Sequence, residues 1–144
     1  MPSREYVRRI VDTYIDAWEN QDPDLICTIF TPAATYHERV MGEPIPNRDA
    51  IRQYWVDKVV KDQANIRCRP LSLYVDGSTA IVEWLAEFDD LAQGARKRMK
   101  EIAVLEFEHA MDGSRISSLR EYWASETVAT LTTADHSANG GERS

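Results

Sequence analysis

Cysteine is scarce in this chain of 144 residues, with only Cys27 and Cys68. Two cysteines build neither a disulfide framework nor a metal-ligand cluster, so they read as free thiols in a reducing, cytoplasmic setting. Histidine is nearly as rare, and His37, His109 and His136 show no metal-ligand spacing. The few glycines form no phosphate-cradling loop. Positive charge is outnumbered: 17 Lys and Arg against 24 Asp and Glu leave a net charge of -7. That sign argues against a nucleic-acid footprint. No apolar run approaches the ~20 residues needed to span a bilayer. The charged, helix-like start MPSREYVRRI shows no secretory signal. These patterns point to no cofactor, metal, nucleic acid or membrane.

What is present is enough for one domain. At this length a chain buries about two-thirds of its unfolded surface, and 43% hydrophobic with 28% charged residues is ordinary for a globular protein. The first half has helical period. Val7, Ile10, Val11, Tyr14, Ile15 and Trp18 form one apolar stripe, broken at Asn20-Gln21. Asp22-Pro23 is an N-cap with proline at the first helical position. The second helix is expected to carry Leu25, Ile26, Ile29 and Phe30 and to end at Thr31-Pro32. A short strand over roughly 34–38 follows, and Asn47 caps a third helix burying Ile51, Tyr54, Trp55 and Val59.

The second half changes to strand period, with runs at about 66–75, 79–90, 99–110 and 115–125. Asp76-Gly77 and Asp112-Gly113 are hairpin dipeptides. The basic run ARKRMK at 95–100 reads as the solvated tip of a hairpin. After Trp123 the sequence turns polar, so the domain is expected over 1–126, with 127–144 a disordered tail. The expected fold is α+β. A curved, mostly antiparallel sheet forms a cone-shaped half-barrel closed by three N-terminal helices, and its interior is a setting for a small-molecule site.

Three stretches resemble the nuclear-transport-factor-2-like superfamily in its ketosteroid-isomerase and SnoaL-like branch. They are YIDAWENQDPDLICTIFTPAATYHERVMGEPIPNRDAIRQYW at 14–55, AIVEWLAEF at 80–88 and DGSRISSLREYW at 112–123. The resemblance implies a pocket for a small, partly apolar molecule and a homodimer through the outer sheet face. It also implies site residues. The isomerases' hydrogen-bonding tyrosine falls on Tyr14, and their general-base aspartate on Glu38. Their protonated aspartate, the second oxyanion-hole donor, falls on Glu106. Departures accompany the match. Both carboxylates are glutamate, which moves each reacting oxygen by ~1.5 Å; Arg39 replaces a proline; and Trp18 fills space that a fused-ring substrate would need. Of the aspartate–arginine–aspartate set of limonene-epoxide hydrolases only the last member has a counterpart, Glu121. Trp84 and Ala86 occupy the other two positions. Polyether cyclases of the superfamily that use two carboxylates remain an open comparison.

Strand alternation selects the lining. Trp84, Ala86 and Phe88 share one face, and Leu119, Glu121 and Trp123 another, so Glu121 points in if the tryptophans do. Glu106 shares a face with Val104, but both faces of 102–108 are apolar. The expected guest contacts are Trp18, Phe30, Tyr36, Trp55, Trp84, Phe88, Val104, Leu119, Glu121 and Trp123. Two readings stand for each catalytic candidate. Tyr14 is a donor or plain core, Glu38 a base or a solvated strand end, and Glu106 a neutral acid or, one register away, a surface charge. The sequence therefore favours cofactor-independent acid–base catalysis of isomerase or cyclase type. The alternative is a non-catalytic binding pocket or a dimeric scaffold for a partner protein, and epoxide-hydrolase or cyclase-type ring chemistry is a further one.

Overall fold

The structure is a computed structural model and describes residues 1–110 and 113–131. Helix α1, Arg4–Glu19, begins where the Ser3 side chain accepts the Tyr6 N–H. Its buried stripe is the expected one, extended by Ala17. The helix ends at Asn20, and Gln21 takes a positive φ of 53°. The Gln21 side chain then donates to the carbonyls of Val59 and Gln63, which ties the helix end to two later elements.

Helix α2, Pro23–Cys27, is capped by the Asp22 carboxylate as its sequence predicts. It is shorter than expected. Phe30 is not helical but opens strand β1, Phe30–His37, and Thr31-Pro32 lies inside that strand. Proline is tolerated there because β1 is an edge strand and its register with its neighbour is broken between Phe30 and Thr35. Helix α3, Arg48–Tyr54, starts at the Asn47 cap and runs on into a π-helix, Trp55–Val60.

Four long strands follow: β2 Gln63–Asp76, β3 Thr79–Asp90, β4 Ala95–Ala110 and β5 Gly113–Thr130. The sheet order is β1-β5-β4-β3-β2, with β1 parallel to β5 and the remaining pairs antiparallel. The result is the α+β cone anticipated from sequence, a curved, unclosed mixed sheet covered by the helices. Gly77, with φ 64°, turns β2 into β3 as the Asp76-Gly77 dipeptide predicts. The basic run 95–100 is not a hairpin tip. It is the first part of β4, where Arg96 and Arg98 pair with Asp89, Glu87 and Glu126 on the flanking strands. Strand β5 continues to Thr130, beyond the expected boundary at 126. Asp112 and most of the expected tail lie outside the described residues.

Register decides what the cone contains. On β4 the odd positions Glu101, Ala103, Leu105 and Phe107 are buried and the even positions face outward. On β5 the phase changes midway. Ser114 and Ile116 are buried, then Leu119 and Glu121. The cause is a bulge, since Phe107 pairs with Ile116 but Glu106 pairs with Ser118. Ser117 is the extra residue, and its hydroxyl donates to the Glu106 carbonyl. One inserted residue flips every later side chain to the other face, and so Glu121 points into the cone.

Candidate active site

The cone holds a cavity of about 150 Å³. Its walls carry Trp18, Tyr36, Tyr54, Trp55, Phe88 and Trp123, and exposed Arg39 and Lys58 stand at its mouth. One wall comes from the π-helix through Trp55, Lys58 and Val59. Such widened turns are rare and gather at functional sites. Trp18 is held in place by its indole N–H, which donates to Gln63 Oε1 at 2.9 Å.

The floor is made of acids and phenols. Glu101 on β4 lies opposite Trp84 of β3 and Trp123 of β5, while Glu121 on β5 lies opposite Ala103. The two glutamates are thus diagonal neighbours on the inward face, within reach of long side chains. Both are buried, at 2% and 7% exposure. Glu121 Oε2 accepts from Tyr36 at 2.7 Å and from Tyr14 at 3.1 Å. The two phenol oxygens are themselves 2.8 Å apart. Tyr14 is stacked on Trp84, with ring centroids 4.7 Å apart.

Burial sets the protonation of this cluster. Desolvation pushes the Glu121 carboxyl up to about 7, against hydrogen bonds from Tyr36, Glu101 and Tyr14 that favour its anion. Glu101 is pushed up by its burial, then by the charge of Glu121 and the hydrogen bond between the two carboxyls. The Trp84 indole N–H works the other way, although it falls outside hydrogen-bonding geometry. Tyr14 and Tyr36 are raised well above the ordinary phenol value, first by burial and then by Glu121, so both remain donors. Burial also raises Tyr54. Near neutral pH the floor therefore holds one proton-bearing carboxyl beside one that is easily ionised. Among the described residues, the buried side-chain atoms Trp55 Nε1, Trp84 Nε1 and Glu101 Oε2 have no hydrogen-bond partner.

Glu38 lines the same cavity from just beyond β1. Its carboxylate meets Arg39 at 3.5 Å, and its carbonyl accepts the Trp123 indole N–H at 3.1 Å. Arg39 lies over the Trp123 ring, 5.1 Å from its centroid.

The structure brings Tyr14, Trp18, Tyr36, Glu38, Trp55, Phe88, Glu121 and Trp123 together around one space. Five anticipated residues are not on its wall. Glu106 is on the outer sheet face, because the inward phase of β4 is odd-numbered. There it accepts from the Thr79 hydroxyl at 2.6 Å and lies 3.6 Å from Arg120. Val104 shares that outer face, opposite Ile81 and Arg120. Phe30, Leu119 and Trp84 point inward but are core behind the wall, with 0 to 1% exposure. Glu101 and Tyr54 were not among the expected site residues. The basic positions Arg98 and Lys100 were the signal for Glu101: they mark the even phase of β4 as solvent-facing.

Among the described residues no group of three or more His, Cys, Asp or Glu side chains is placed to hold a metal ion. Nor is any described helix long and apolar enough to cross a membrane.

Residues 11–119 match the SnoaL-like domain. No curated protein matches the chain by sequence. Among solved structures, the chain is similar to SalBIII, an epoxide hydrolase/cyclase-like enzyme with a role in pyran ring formation in the polyether salinomycin. The identity is 26%, the TM-score 0.71, and the alignment covers 86% of this chain and 95% of that one. It also shares its fold with a hypothetical protein of ketosteroid isomerase-like fold from Catenulispora acidiphila, solved with trimethylamine. There the identity is 17% and the TM-score 0.68, over 88% and 90% of the two chains.

Proposed function

The chain belongs to the SnoaL-like domain family, and from that premise we propose that it is an acid–base enzyme of cyclase type. The observation that carries the reading is the pair of buried, unequal carboxyls, Glu101 and Glu121, on the floor of an aromatic cavity. The substrate class is a small, partly apolar epoxy alcohol. Glu121, ionised, takes the hydroxyl proton, and the oxygen attacks an epoxide carbon. A new C–O bond forms as the old one breaks, and Glu101 delivers its proton to the departing oxygen. Substrate and product are isomers, so the step consumes no co-reactant and needs no cofactor. Each turnover leaves the proton on Glu121, and the hydrogen bond between the carboxyls returns it to Glu101. The similarity to SalBIII supports this chemistry.

Carbon-to-carbon proton transfer of the isomerase type is less well supported. It requires Tyr14 and Glu106 to form a hole for an oxyanion, yet the Tyr14 hydroxyl is engaged by Tyr36 and Glu121, and Glu106 is on the outer face.

The test is conversion of epoxy alcohols to cyclic ethers, followed by mass spectrometry and NMR. Glu121→Gln and Glu101→Gln should each lower kcat by roughly 10²–10⁴. Full activity in either variant, or no turnover by the native protein across the panel, overturns the assignment.

A homodimer through the outer sheet face belongs to the same reading. Exposed Tyr74, Ile81, Ile102 and Tyr122 give that face an apolar patch, joined by the cross-strand pairs Tyr74–Ile81 and Ile102–Tyr122. Sedimentation equilibrium should return twice the chain mass, and a monomer at all concentrations would exclude it. The cell compartment proposed is the cytoplasm, in keeping with two free thiols.

A further inference from the structure

A carboxyl pair works as acid and base only if the proton rests on a defined member. By burial alone Glu101 and Glu121 are nearly alike. Their hydrogen bonds are not. Glu121 Oε2 receives both phenols, while Glu101 Oε2 receives nothing.

The two phenols are not equivalent either. Three oxygens, those of Tyr14, Tyr36 and Glu121 Oε2, form a triangle with sides of 2.8, 2.7 and 3.1 Å. Two phenol protons must serve three contacts. The short edge to Glu121 belongs to Tyr36, so that proton is committed to the carboxylate. The Tyr14 proton is shared between the Tyr36 oxygen and the more distant carboxylate. When Tyr14 donates to Tyr36 it polarises the Tyr36 O–H and strengthens its bond to Glu121.

We propose that Tyr36 is the positioning residue that makes Glu121 the resting anion of the pair, with Tyr14 acting chiefly through Tyr36. This rests on the reading of Glu101 and Glu121 as acid and base. Both phenols converge on Oε2, which leaves Oε1 outside their hydrogen bonds. The fixed donors also orient the carboxylate, so the base is aimed before substrate arrives. Other groups around Glu121 do not supply this asymmetry. Tyr54 of α3 has no hydrogen bond to it, and Glu38 beyond β1 is an acid tied to Arg39. Glu101 of β4 is the competing site for the proton, and Cys68 of β2 is held neutral by its own burial.

The experiment is a titration of the glutamate side-chain carboxyls by carbon-13 NMR in the protein without substrate. Glu101→Gln and Glu121→Gln identify the two signals. In Tyr36→Phe, which keeps the ring, the Glu121 midpoint should rise by about one to two pH units, the loss expected for one hydrogen bond to a charged group. Tyr14→Phe should raise it less, and Tyr54→Phe should leave it in place. A midpoint unmoved in Tyr36→Phe overturns the proposal, as does an equal rise in Tyr54→Phe, the result expected if any cavity phenol merely supported the packing. Where turnover is found, the acid limb of kcat/KM should move up with the NMR midpoint in Tyr36→Phe. The titration is read without substrate, so failure of the cyclase reading and failure of this proposal are separate results.

Discussion

Replacing Glu121 by glutamine should change how stability depends on pH, and the size of the change follows from the site. Its carboxyl titrates near 7 in the fold, against 4.5 for an ordinary glutamate. A folded-state value raised above the unfolded one means that the native protein holds the proton more tightly. Its stabilising contribution is therefore complete below about pH 4.5 and is lost as pH rises through about 7. At ~1.4 kcal/mol per pH unit, ionising Glu121 costs the native state about 3 kcal/mol by pH 8. Burial raises the Glu101 carboxyl as well, so its ionisation adds to the decline in the same direction. Glutamine has the shape of the protonated acid and still accepts from Tyr36, but it cannot ionise.

The assay is urea unfolding of the native protein and Glu121→Gln at several values between pH 5 and pH 8, analysed at constant m. At pH 5 the two should be close in stability. At pH 8 the variant should be the more stable by about 3 kcal/mol, a large fraction of a small domain's total. It should also be nearly inactive, a trade of function for stability. A difference that stays flat across the range, or that favours the native protein at pH 8, would refute the argument that Glu121 is desolvated in the cone.

Glu106→Gln should leave kcat/KM within about twofold and cost less than ~1 kcal/mol in thermal unfolding, because its contacts with Thr79 and Arg120 are half-exposed and lie on the outer face of the sheet, away from the cavity. Asn47→Ala should destabilise the fold by about 1 kcal/mol in the same urea assay, since its side chain caps the helix that leads into the π-helical wall.

Much of the fold was legible in the chain because local chemistry and global packing agree. The α1 stripe, the Asp22 and Asn47 caps and the Asp76-Gly77 turn all act within a few residues of themselves. The inward faces of β3 and late β5 could be read because tryptophan and phenylalanine mark them. Glu121 was found in this way. On β4 the pattern is ambiguous, because both faces carry aliphatic residues, and the resemblance points to Glu106 where the fold buries Glu101. The π-helix and the early start of β1 depend on tertiary partners, which a window of sequence does not contain. Tyr14 was expected to donate to a guest, and its phenol is turned to Tyr36 and Glu121, a pairing 22 and 107 residues distant.

The bulge at Ser117 shows how little separates this site from none. Had β5 kept the phase of Ser114 and Ile116, the inward positions would be 118, 120 and 122, and Arg120 would replace Glu121 on the cavity floor. A guanidinium beside Glu101 would favour its anion and oppose the burial that keeps it protonated. The cone would then bind but would hold no proton to give. One inserted residue moves Arg120 to the outer face, where it meets Glu106, and brings the second carboxyl inside. The cost is two acids buried where water cannot solvate them. The same desolvation supplies a carboxyl that is protonated at neutral pH and a neighbour poised to accept, so the instability at high pH and the capacity for acid–base chemistry have one origin.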